Sequence, residues 1–170
     1  LDAQVFGRLA GEAAARWALA QGQPVPWSDA AARAAVEALL RPDGADAEAA
    51  RAQVQQAMSA ACGVYRTDQG LRALCQLLAG LEGEGLSGRE NALARAVEAV
   101  NMLQAARLVA LAAAERNESR GPHLRFAEDG SLQPIPRDDA HWRRYLVLRR
   151  GADGSIIEAR EPLRPGAARG

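Results

Sequence analysis

Alanine occurs 39 times in these 170 residues, only seven side chains are aromatic, and the larger apolar residues recur at three- and four-residue steps. Alanine has the highest helix propensity, and its small side chain lets helix axes approach closely. A β-sandwich would need many more β-branched and aromatic residues than the chain contains. The pattern therefore predicts closely packed helices. A chain of this length is expected to form one domain, with room for an appended arm.

The apolar spacing places five helices. Residues 2–20 read as amphipathic, with Val5, Phe6, Leu9, Ala10, Ala13 and Trp17 on one stripe. Pro24 and Pro26 end that run, because each pushes its predecessor into extended geometry. Ser28 or Asp29 can cap a second helix to about residue 40, with Val36, Leu39 and Leu40 inward. Arg41-Pro42-Asp43-Gly44 reads as a turn. Asp46 caps a third helix to about residue 62, facing inward through Ala50, Val54, Ala57, Met58 and Ala61, and Gly63 stops it. Thr67 and Asp68 open a fourth, to about residue 83, carrying Leu71, Leu74, Leu78 and Leu81. The longest is expected from about Ser87 to Asn117, with Leu93, Val97, Val100, Leu103 and Leu111 buried. Such a helix would be about 45 Å long.

The short connection between the third and fourth helices favours antiparallel packing. The expected fold is all-α: an up-and-down three-helix bundle, spectrin-repeat-like, preceded by a helix pair. Its expected boundaries are 1–28 for a leading helix and linker, 29–118 for the bundle, and 119–170 for a carboxy-terminal arm. Residues 118–141 hold prolines, glycines and mixed charge with no sustained period. Long irregular stretches of this kind are often functional or lie over a neighbour. Tyr145–Leu148 and Ser155–Glu158 then read as a short β-hairpin turning at Gly151–Gly154, with a disordered tail from Pro165.

All 21 basic residues are arginine and 21 acids balance them, so charge gives no case for nucleic acid or an anionic membrane surface. The apolar runs read as too short to span a bilayer, and no direct membrane insertion is expected. Cys62 and Cys75 lack a CxxC spacing or a histidine pair, which suggests free, buried thiols compatible with a reducing cytoplasm. No GxGxxG, phosphate loop, HExxH or Ser/His/Asp arrangement is present. Leu1 opens inside a helical pattern, as a domain cut from a longer protein would.

The candidate site is Ser119–Arg125. Gly121 suits a chain reversal after the polar helix end at Glu115–Glu118. Arg120 brings a planar five-donor fork that could hold a carboxylate or cap helix carbonyls. His123 and Arg125, two residues apart, share a face of an extended strand. Ser119, Arg120, His123 and Arg125 are thus interface candidates, either meeting an anion or partner or, more simply, anchoring the arm. His141 reads as a surface or hydrogen-bonded histidine rather than a proton carrier. Trp142 reads as packing the hairpin onto the bundle, and Trp17 and Trp27 also as packing residues. Met58 and Met102 read as core fillers. No catalytic, cofactor-binding or metal-ligating residue is assigned.

Several segments in order carry a resemblance. Glu118-Ser119-Arg120-Gly121-Pro122-His123-Leu124-Arg125 and Arg137-Asp138-Asp139-Ala140-His141-Trp142 resemble the C-terminal region of succinate dehydrogenase and fumarate reductase flavoprotein subunits. Leu1–Arg8, Gly63–Thr67, Asn101–Ala106 and Glu161-Pro162-Leu163 resemble further segments of that region. L-aspartate oxidase and adenylylsulfate reductase flavoproteins carry related bundles; the Asp-Asp-x-x-Trp run favours the succinate/fumarate group. Pro122 and the Phe126–Ile135 stretch depart from the family pattern. The resemblance implies a non-catalytic piece of an FAD-dependent oxidoreductase, with FAD and the catalytic residues upstream. It implies contacts with the FAD and capping domains of the same protein and with an iron–sulfur subunit, in the cytoplasm at the periphery of the inner membrane. The alternative is a free-standing helical interaction module.

Overall fold

Two of the bundle's three helices start at a side chain that satisfies an orphan backbone donor, and the longest has no such cap. The computed structural model describes residues 2–22, 28–151, 153 and 155–163. Its elements are α1 (Asp2–Gln21), α2 (Ala30–Leu39), β1 (Ala45–Asp46), α3 (Ala47–Ala61), β2 (Tyr65–Thr67), α4 (Asp68–Glu84), β3 (Leu86–Ser87), a 3₁₀ turn (Glu90–Ala92), α5 (Leu93–Glu115), β4 (Leu124–Phe126), α6 (Asp139–Trp142), β5 (Arg144–Arg150) and β6 (Ile156–Pro162). Asp46 caps α3 by accepting from the Ala49 N–H at 2.9 Å, and Thr67 caps α4 by accepting from Gly70 at 3.2 Å. Gly85, at φ +76°, ends α4 in a conformation a side chain would resist.

The chain divides into two compact units, residues 1–34 and 35–170. In the first, α1 carries the exposed ion pairs Arg8–Glu12 and Arg16–Glu12. Its large apolar side chains are exposed too: Val5, Phe6, Leu9, Trp17 and Leu19. Residues 23–27, with Trp27, lie outside the described residues, as do Leu1, Ala152, Gly154 and everything beyond Leu163.

In the second unit α3, α4 and α5 pack on one another as a three-helix bundle. The predicted α4 stripe is the heart of the core, with Leu71, Leu74, Leu78 and Leu81 all buried. α5 corrects the sequence reading in two ways. It starts at Leu93 rather than near Ser87, because Leu86–Ser87 pair in parallel with Ala45–Asp46 and a 3₁₀ turn follows. Its buried stripe is Ala96, Ala99, Leu103, Ala106, Ala110 and Ala113, whereas the predicted Val97 is exposed. Alanine at the contact lets α5 sit close to α3 and α4. Leu40, read as inward, is exposed as well.

α5 also overturns the reading of every apolar run as too short for a bilayer. At 23 residues it is long and apolar enough to cross one. Six of its residues are nevertheless buried in the protein core, which is the role the structure gives it.

Two parallel strand pairs, absent from the sequence reading, tie loops to the bundle. β1 pairs with β3, and β2 pairs with β4 in the register Tyr65–Leu124, Arg66–Arg125 and Thr67–Phe126. The second pair sews the arm onto the start of α4. The hairpin is longer than expected, with β5 and β6 antiparallel over seven residues each. Trp142 is buried, as predicted, beneath the guanidinium groups of Arg116 and Arg160, 5.4 and 4.1 Å from its ring centre. Met58 and Met102 pack against the core, and Cys62 and Cys75 are half-buried free thiols there.

Candidate functional site

The arm leaves α5 through a run of alternating charge, Arg116-Asn117-Glu118-Ser119-Arg120. Alternation in extended chain turns 116, 118 and 120 to one side. Glu118 is the centre of that side and has no exposed surface. Its Oε1 accepts from Arg116 at 2.7 Å and from Arg120 Nε at 2.6 Å. Its Oε2 accepts from Arg120 at 3.0 Å and from the Asp138 backbone N–H at 2.8 Å. Burial alone would push this carboxyl up, but the donors from Arg120, Asp138 and Arg116 prevail and hold it below the usual carboxylate range. Arg116 also donates to the carbonyls of Trp142 and Arg144, so one guanidinium ties α5 to the entrance of the hairpin.

Gly121, at φ +55°, turns the chain so that Arg120 and His123 exchange backbone hydrogen bonds of 2.8 and 3.0 Å. Arg120 reaches past Glu118 to Asp139 at 2.6 Å, where Arg137 also donates at 2.7 and 2.9 Å. Those two guanidinium groups hold the Asp139 carboxyl down at about 2, and their carboxylate partners push Arg120 upward. Ser119 closes the loop, accepting from the Arg125 N–H at 3.0 Å and donating to its carbonyl at 3.3 Å.

Arg125 is 1% exposed. It donates to Ala113 O in the last turn of α5 and to Asp68 in the first turn of α4, both at 3.0 Å. Its charge therefore stabilises a helix carboxy-terminus and meets the acid at a helix amino-terminus. Its Nε is buried without a partner.

His123 faces the carbonyl of Arg116 through Nε2 at 3.0 Å and Arg66 through Nδ1 at 3.3 Å. A carbonyl can only accept, so Nε2 carries the proton and Nδ1 receives the Arg66 N–H. Burial pushes the imidazole below its ordinary value, opposed by the Arg116 carbonyl and reinforced by the charges of Arg66, Arg125 and Arg116. His123 is a neutral connector. His141, by contrast, lies exposed, with Nδ1 2.7 Å from Asp138. Its hydrogen bonds hold the Asp138 carboxyl below the usual range.

All four predicted site residues thus meet in one junction between α4, α5 and the arm. Each makes hydrogen bonds within the chain. Sequence reasoning did not assign Glu118, Arg116, Arg66 or Asp68 to the site, although each bonds to one of the four. The Arg-x-Glu-x-Arg alternation was the signal that could have found the first two. Among the described residues no group of three or more His, Cys, Asp or Glu could hold a metal ion.

The bundle and its strand-ended arm have counterparts among known proteins. Residues 51–164 match the family described as fumarate reductase flavoprotein C-term. The succinate dehydrogenase flavoprotein subunit of Coxiella burnetii is 31% identical over 97% of the chain and 29% of its own length. An L-aspartate oxidase of Streptomyces coelicolor is 35% identical over 63% of the chain and 18% of its own length. The solved structure of a variant E. coli quinol fumarate reductase FrdA superposes with a TM-score of 0.76 at 28% identity, covering 96% of the chain and 29% of that one. The chain belongs to the family of succinate dehydrogenase and fumarate reductase flavoprotein C-terminal domains. It spans less than a third of the length of these relatives.

Proposed function

We propose that the chain is the helical buttress of an FAD-dependent dicarboxylate oxidoreductase of the succinate dehydrogenase/fumarate reductase type. In this reading the flavin, the substrate site and the redox chemistry belong to the rest of the protein, and these residues brace it. The observation that carries the reading is the family match from the middle of α3 to the end of the hairpin, with the arginine–glutamate junction inside it. The exposed apolar face of α1 supports it, because Phe6, Leu9 and Trp17 on one helix invite a neighbouring surface. The neighbours are the FAD and capping domains of the same protein, with an iron–sulfur subunit beyond them. The site of action is the cytoplasmic periphery of the inner membrane.

Ser119, Arg120, His123 and Arg125 serve here by fixing the arm, so that the surface it presents to those neighbours is rigid. The reading of the succinate/fumarate group over aspartate oxidase rests on the Asp138-Asp139-x-x-Trp142 run and the strands that follow it. The test is spectroscopic. The 170-residue chain purified alone is expected to be colourless, and the protein that carries it together with an upstream dinucleotide-binding domain is expected to bind flavin and turn over succinate or fumarate. Bound-flavin absorbance in the chain alone would overturn the buttress reading and favour a self-contained site. Turnover of aspartate and not succinate or fumarate would overturn the subgroup.

A further inference from the structure

The half-buried ring of His123 ties the arm to two elements of the bundle through nitrogens with opposite needs. Nε2 must donate, because it lies 3.0 Å from the carbonyl of Arg116 at the end of α5. Nδ1 must accept, because an N–H of Arg66 in β2 meets it at 3.3 Å. Only the neutral ring with its proton on Nε2 satisfies both. Arg66 in turn donates to Pro122 O at 3.1 Å and to Cys62 O at 3.3 Å, where α3 ends. One guanidinium therefore clasps the arm to the connection between α3 and α4, and the lone pair on Nδ1 completes the clasp.

Three guanidinium groups face the imidazole: Arg66 from β2, Arg116 from the end of α5 and Arg125 from β4. The nearby carboxylates are engaged elsewhere, Glu118 by Arg116 and Arg120, and Asp68 of α4 by Arg125 and Arg72. Among the described residues no carboxylate bonds to the ring or to Arg66. A proton on Nδ1 turns an acceptor into a donor aimed at another donor, and adds a charge to three of its own sign. The reversal that this strains lies between the buried anchors Glu118 and Arg125. Gly121 and Pro122 are exposed there, and the two Arg120–His123 backbone hydrogen bonds cross it.

We propose that His123 is an acid-released latch: a proton on Nδ1 drives the Gly121–His123 reversal off Arg66 and the end of α5, while the bundle stays folded. Release gives the imidazolium to water and parts it from the three guanidinium groups. Burial and those charges hold the imidazole below its ordinary 6.5 while the latch is shut, so the open form takes the proton first. Opening therefore grows as pH falls below 6.5 and stops growing once the shut form is protonated too. A single proton limits the growth to about tenfold per pH unit. Glu118 keeps its charge above 4.5, since its carboxyl is held below that value. Every contact of the latch lies within the chain, so it is independent of the flavoprotein reading.

Hydrogen exchange on the full chain, followed by NMR from about pH 8 to about pH 5, reads the opening as protection factors. The amides of Arg120 and His123 are expected to be less protected than those of Leu74 and Leu78 throughout. They should also lose protection by up to about tenfold per pH unit below 6.5. His123→Gln should abolish that loss, and His141→Gln, at the chain's other histidine, should leave it in place. In the His141→Gln chain the remaining imidazole can be titrated directly, with a midpoint expected below 6.5 that rises when Arg66→Gln is added. That titration decides the matter even where His123→Gln fails to fold. Protection at Arg120 and His123 that is flat with pH, or that still falls in His123→Gln, would overturn the latch. So would protection equal to that of the α4 leucines, since only whole-chain unfolding would then expose the reversal, or a midpoint indifferent to Arg66→Gln.

Discussion

A full negative charge at Glu118 has no exposed surface, and it survives there because three donors arrive from three different places in the sequence. Removing one member of such a buried cluster leaves the others unpaired, which typically costs about 3–5 kcal/mol. Arg116 and Arg120 keep some solvent contact, so Glu118→Ala is expected to cost about 3 kcal/mol, read as a lower urea midpoint with an unchanged slope. Because folding lowers the Glu118 pKa, its contribution is complete above the ordinary carboxylate value of 4.5 and fades as pH falls toward the folded value. His123 adds a second acid-sensitive term with the same sign. Its folded pKa lies below 6.5, so the unfolded chain binds the proton first and stability drops as pH falls below that value. His123→Gln, which cannot titrate, should flatten stability against pH between the ordinary histidine range and the carboxylate range. Chemical denaturation at a series of pH values checks this, and an unaltered slope would remove His123 from the account.

At the scale of elements, the clearest consequence concerns α5. Ala99 is 1% exposed and sits where α5 meets its neighbours. Ala99→Leu should overpack that contact and lower stability by about 1–3 kcal/mol, while Val97→Ala on the exposed side should change it by less than about 0.5 kcal/mol. Thermal melts of the two variants decide between the alanine stripe and the valine stripe that periodicity favoured. The contrast shows what the sequence could convey. The α4 leucines were legible because leucine at helical spacing has one favourable place. Alanine loses little whether buried or exposed, so a helix apolar on every side hides its own contact face. Two- and three-residue parallel strands have no period to detect, and their partners lie as far apart as Tyr65 and Leu124. The caps at Asp46 and Thr67 were legible because capping is local chemistry. The junction was half legible. Gly121 and Arg120 announced a reversal and a fork, but which carboxylate the fork would meet depended on where the arm ran.

At the scale of the whole molecule, the question is what the exposed face of α1 is for. Phe6 is 67% exposed, Leu9 54% and Trp17 66%, and single exposed apolar residues are ordinary on protein surfaces. Several on one helix are less so, and they carry a prediction that separates a buttress from an autonomous domain. Paired substitution of Phe6→Glu and Leu9→Glu changes side chains that have little to lose in the 170-residue chain, so its melting temperature should hold within the range of ordinary surface changes, about 0.5 kcal/mol. In the flavoprotein that contains this region, the same pair would set two charges against a surface built to meet apolar side chains, and desolvating them without partners is costly. Flavin content and resistance to proteolysis of that protein should then fall together, with the bundle itself intact by circular dichroism. If flavin content and proteolysis are both unchanged, α1 is a surface helix and the bracing of the redox domain must be carried elsewhere. The Glu118 junction, buried in either case, would not reveal that difference; the first helix does.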